Sequence, residues 1–169
     1  MTDVAGRSGE LCMSVMDALE QKKPWMLSSL AQKFGVSERD VAAVLPEDRC
    51  AFTSGAHFIS VWEGLKAWER ATFIMQHEGH VMEVKGRIPA GTPERGYYNL
   101  AGQEALSGHI RADAVAEIAF LSMPFMGLES HSVQFSTTGE MWCFPCMREG
   151  KTTTFFRRSE LRFSAFAGK

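Results

Sequence analysis

A chain of 169 residues, 45% of them hydrophobic, can bury a core of its own without a disulfide scaffold or structural metal. Its net charge of −2 supplies no general attraction to nucleic acid or anionic lipid, and four scattered cysteines do not make a secreted disulfide framework. The longest apolar stretch, Ile118 to Met126, is broken by Ser122 and Pro124 and is too short to span a bilayer. Met1 to Glu10 has neither the basic nor the apolar region of a signal peptide, so a soluble, cytoplasmic protein is expected.

The first 68 residues read as mainly helical. Leu11, Val15, Met16 and Leu19 fall on one helical stripe between Ser8 and Lys22, and Pro24 ends it. A second helix fits Leu27 to Phe34, with Gly35 as its C-cap. A third starts at Ser37, where Asp40 completes a capping box, and stops before Pro46. His57 to Trp68 predicts a fourth, with Phe58, Val61, Trp62 and Leu65 on one face.

From Ala71 to residue 147 the period shifts to two. Ala71–Gln76 and Val81–Lys85 flank a Glu78-Gly79 turn, and Arg95–Ala101 and Leu106–Ile110 flank Gly102-Gln103-Glu104. Ala116–Phe125, Ser132–Thr137 and Met141–Cys146 follow as further strands, with a helix predicted over Arg157–Phe166. Helices followed by successive hairpins give an α+β fold with a large antiparallel β-sheet, in one domain covering residues 1–169.

Several clusters of residues carry chemistry. Met26 to Leu45 has the shape of a helix-turn-helix, but its second helix offers Glu38, Arg39 and Asp40 and then alanines and valines. A DNA reader needs a basic, amide-rich front there, so no nucleic-acid partner is expected. Cys143-Phe-Pro-Cys146 is half of a zinc site with no second half nearby, and two thiols without a role is the simpler reading. His77 and His80 bracket a tight turn and face each other across a hairpin, where they can share a ligand or stand idle in solvent. Tyr97 and Tyr98, the chain's only tyrosines, sit on one strand and so point to opposite faces. A phenol becomes a good ligand once a Lewis acid takes its proton; ferric haem iron does so, and the neighbouring Arg95 can steady a phenolate or pair with a propionate. A tyrosine pair in a strand serves a core equally well, as does the apolar bend from Ser122 to His131 with its Met126.

Taken in order, Glu83-Val-Lys85, Ile88-Pro-Ala-Gly91, Arg95-Gly-Tyr-Tyr-Asn-Leu100, Ser107-Gly-His-Ile110, Ile118-Ala119, Pro124-Phe-Met-Gly127 and Glu129-Ser-His131 closely resemble the HutX/ChuX family of cytosolic haem-utilisation proteins. The likeness is clearest from Gly79 to Gly139; beyond it Trp142-Cys-Phe-Pro-Cys-Met-Arg-Glu149 departs from the family pattern. The resemblance implies a fold like half of a HemS/ChuS-type protein, with two chains pairing as a homodimer. It implies haem b as cargo, Tyr97 as axial ligand to the iron, and His109 as a further haem-binding residue. Arg95, His131, His77 and Met126 complete the candidate haem-binding set. No residue is expected to be catalytic.

Three functions remain open on these residues. One is a haem carrier and store that passes its cargo to a cytosolic haem-degrading partner, without membrane or nucleic acid. A second is an enzyme of the HemS/ChuS type that opens the porphyrin itself. A tyrosinate ligand favours ferric iron and the chain lacks a G-x-G-x-x-G nucleotide loop, which favours carriage. The third, a DNA-binding regulator, is weakened by the missing basic face.

Overall fold

The computed structural model describes residues 4–21, 23–68, 70–77, 80–102, 104–125, 128–137 and 146–148. Helix α1 (Val4–Glu20) begins before the expected Ser8 and buries Val15, Ala18 and Leu19 on its apolar stripe. Helix α2 (Leu27–Phe34) has the predicted bounds, and Gly35 closes it in the left-handed region at φ 66°. Helix α3 (Glu38–Ala43) carries the predicted capping box: Ser37 Oγ accepts from the Asp40 amide, and Asp40 Oδ2 accepts from the Ser37 amide, both at 3.1 Å. Helix α4 (Phe58–Leu65) follows a short 3-10 turn at Gly55–His57 and buries the four apolar residues of its predicted face.

Strand β1 (Cys50–Ser54) was not legible in the sequence. It has five residues, lies inside the helical half, and is defined by pairing with a strand far along the chain, Cys50 opposite Leu121. Strands β2 (Ala71–His77) and β3 (His80–Gly86) form the expected first hairpin, with His77 opposite His80. Further on, β7 (Val115–Phe125) and β8 (Leu128–Thr137) form a second long hairpin, and β9 (Cys146–Arg148) inserts between β8 and β2. Six strands pair in the order β1-β7-β8-β9-β2-β3, all antiparallel.

Strand β7 explains why Ile118 to Leu121 reads as continuously apolar. Its alternate residues enter two different cores. Ile118 and Phe120 pack with Phe58, Trp62, Phe73, Tyr98, Val133 and Phe135, whereas Leu121 and Met123 pack with Val15, Leu30, Val41 and Cys50 of the helical segment. The helices are thereby fixed to the sheet through β1 and β7. Phe135 is 2% exposed, inside the first core. Its position opposite Ile118 turns it inward.

A second sheet, not separated from the first in the sequence, has three strands in the order β4-β5-β6: β4 (Gly91–Glu94), β5 (Tyr97–Leu100) and β6 (Gly108–Ile110). Arg95, expected to open a strand, forms the β4–β5 turn with Gly96. Glu94 pairs with Tyr97, so the loop has two residues, and both have positive φ, 53° and 80°. That is the signature of the turn whose twist suits a hairpin. Glycine adopts it freely, while Arg95 does so at a cost.

The turn residues Glu78, Gly79 and Gln103, the bend residue Met126, the segment 141–145 with Trp142, Cys143 and Phe144, and the predicted helix Arg157–Phe166 lie outside the described residues.

Candidate functional site

The three-stranded sheet separates the two tyrosines by face. On its inner face Tyr98 is 1% exposed and packs edge-on against Phe58 and Trp62, with ring centres 5.6 and 6.3 Å away. Gly91 permits this, since a Cβ there would lie 2.3 Å from the Tyr98 ring. The Tyr98 hydroxyl donates to Glu63 of α4, whose other carboxylate oxygen lies 2.5 Å from Lys66 Nζ. Burial, with the Glu63 carboxylate adding to it, raises the Tyr98 phenol well above its ordinary value. Tyr98 therefore stays a phenol and has no open side from which to bind a ligand.

Tyr97 faces the other way and is 43% exposed. Strand register determines its companions: Glu94 lies opposite Tyr97, Thr92 opposite Asn99, and Asn99 opposite His109. Alternation puts Tyr97 and Asn99 on the same face. A cleft of about 500 Å³ is lined by Glu94, Arg95, Tyr97, Asn99 and His109. A second hollow of about 420 Å³ shares Glu94, Arg95 and Tyr97 with Ile59, Ala112 and Asp113. The Tyr97 and His109 rings meet nearly edge to face, 6.2 Å between centres.

Two guanidiniums belong to this surface. Arg95 extends from the turn with its Nε 3.3 Å from a Glu94 carboxylate oxygen. Arg111, just after β6, lies 3.2 Å from Asp113; that carboxylate chiefly raises its pKa, and Tyr97 acts in the same direction. Arg111 was missed in the sequence, as was the part played by Asn99. The signal for Asn99 was its position two residues from Tyr97. For Arg111 there was only proximity to His109 in the chain.

The other candidates lie elsewhere or outside the described residues. His131 is on β8 of the six-stranded sheet, half-buried, with Nδ1 2.9 Å from Ser122 Oγ on the neighbouring strand. His77 occupies the last position of β2 in that same sheet. The structure thus brings Tyr97, Arg95 and His109 together on one face and places His131 and His77 on the other sheet.

The donors of the cleft suit haem. A phenol oxygen and an imidazole are both ligands for haem iron, guanidiniums pair with carboxylates such as propionates, and the volume falls in the range of small-molecule sites. The family model for haem utilisation, ChuX/HutX, matches residues 51–143. The chain belongs to the ChuX/HutX family. It is 38% identical over 128 residues to the intracellular heme transport protein HutX of Vibrio cholerae, covering 75% of this chain and 66% of that relative. The match therefore spans slightly less than two thirds of the relative's length. The solved structure of the heme binding protein ChuX superposes with a TM-score of 0.67 at 25% identity, covering 82% of this chain and 85% of that one. ChuS, an Escherichia coli heme oxygenase, shares the fold at 13% identity and a TM-score of 0.64, over 89% of this chain and 47% of that one. The expected likeness to half of a ChuS-type protein is thus present in the fold. Within the ChuX/HutX match lie both tyrosines, His109, Arg95 and Arg111.

Proposed function

We propose that the protein binds ferric haem on the outward face of its three-stranded sheet, carries and stores it in the cytoplasm, and passes it to a haem-degrading partner. The observation that supports this reading most is the exposed Tyr97 phenol beside His109 and two arginines, in a chain of a haem-utilisation family. Tyr97 supplies the oxygen ligand to the iron of the cargo, haem b. Arg95 and Arg111 offset the negative charge of a phenolate and pair with propionates. The protein acts as a carrier and not as an enzyme. The names of HutX, a transport protein, and ChuX, a binding protein, support that choice; likeness to ChuS at 13% identity carries the fold alone.

Addition of haemin to the purified protein tests the reading. A saturable shift of the Soret band is expected, and the porphyrin absorbance survives when a reductant is added in air. No shift would refute haem binding. Loss of the porphyrin band with appearance of an open-chain product would make the protein a haem-degrading enzyme.

A further inference from the structure

At the centre of the outward face the Asn99 side chain joins all three strands. Its Nδ2 lies 3.2 Å from the carbonyl oxygen of Thr92, 3.1 Å from that of Glu94 and 3.2 Å from that of Tyr97. These three oxygens surround the Arg95-Gly96 turn and only accept. Reversing the amide would press its oxygen against all three, so the hydrogen-bond network fixes which end is nitrogen. The amide oxygen then has one orientation, 2.6 Å from His109 Nδ1. An amide oxygen cannot donate, so the proton of this contact sits on the histidine. His109 is held with Nδ1 protonated, and when the ring is neutral the lone pair is on Nε2.

We infer that Asn99 is a positioning residue of the haem site: it selects the Nδ1–H tautomer of His109 and so presents Nε2 as a lone-pair donor to the cargo beside Tyr97. Haem-ligating histidines are commonly oriented in this way, by a partner that accepts from the nitrogen not facing the iron. The inference rests on the proposed haem site, but its first half is a property of the protein alone. Among the described residues Glu94, Arg95 and Asp113 are the charged groups that line the two hollows, Arg111 is held by Asp113, and it is the Asn99 oxygen that meets His109 Nδ1.

Nitrogen-15 NMR of the imidazole, on haem-free protein at a pH well above the ordinary histidine range, reads the tautomer directly. The wild type is expected to show Nδ1–H at His109. Asn99→Asp keeps an oxygen acceptor toward Nδ1 and retains that tautomer, while its second oxygen meets the three carbonyls and lowers stability. Asn99→Leu removes the acceptor and lets the ring revert to Nε2–H, the form free imidazole side chains prefer. In haemin titrations Asn99→Leu then binds about tenfold more weakly or worse, while Asn99→Asp stays closer to wild type. An Nε2–H signal in the wild type overturns the inference whether or not either variant folds. So does an Asn99→Leu protein that keeps the wild-type tautomer and affinity. A wild type with the Nδ1–H signal and no Soret response to haemin would overturn the haem reading while leaving the hold of Asn99 on His109 in place.

Discussion

Two adjacent tyrosines with different surroundings divide the labour between them. Tyr98 anchors the small sheet to α4 through Glu63, and Tyr97 is left free to face the cleft. Lys66 first, and Tyr98 second, hold Glu63 below the ordinary carboxylate range. A carboxylate with a lowered folded value stabilises above its unfolded value, about 4.3, and ceases to do so as pH falls through the folded one. Glu63→Gln is therefore expected to lower the melting temperature at neutral pH, with the difference from wild type closing below about pH 4. A difference that persists unchanged at acid pH would show that the charge of Glu63 is not what matters. Tyr98→Phe should cost about 1.5–3 kcal/mol in denaturant unfolding, the usual worth of a hydrogen bond to a charged group. That Tyr97 and Tyr98 part to opposite faces was legible from strand alternation alone. Which of them faces solvent was not, because that depends on Gly91 and α4 packing against one side of β5.

Among the elements, the β4–β5 hairpin bears the most functional weight, and its turn carries a residue ill suited to its backbone. Arg95 has φ 53°, where asparagine or glycine is favoured. Arg95→Asn is expected to raise stability by about 0.5 kcal/mol and to weaken haemin binding, so that the two properties move in opposite directions. A variant less stable than wild type would contradict the reading of the turn. The helix pair α2–α3 has another role than its shape suggests. Arg39 makes a two-point ion pair with Glu117 of β7, at 2.9 and 3.2 Å, which ties the front of α3 to the sheet. Duplex DNA is accordingly expected to stay unbound at sub-micromolar protein; a salt-sensitive gel shift lost in Arg39→Ala would contradict this. Local signals were read well here: Gly35, the Ser37–Asp40 box and the α4 stripe each act within a few residues. Strand β1 and the division into two sheets were hidden because they depend on partners distant in sequence.

At the scale of the whole molecule, β3 is one of the two outer strands of the large sheet among the described residues, with Val81 and Met82 53% and 59% exposed. An open edge bearing apolar side chains invites pairing, and a two-fold homodimer satisfies it on both chains at once. Sedimentation equilibrium should give twice the chain mass at micromolar concentration, with and without haem; a monomer in both states would refute the dimer. The ChuX/HutX match places the chain in its family, yet the choice of ligand belongs to a single strand face. The decisive measurement is therefore the absorbance of ferric haem on three proteins: wild type, Tyr97→Phe and Tyr98→Phe. The wild type and Tyr98→Phe are expected to share the tyrosinate-to-iron charge-transfer band and a similar affinity, while Tyr97→Phe loses the band and binds more weakly. A Tyr97→Phe protein that keeps both the band and the affinity would contradict the account.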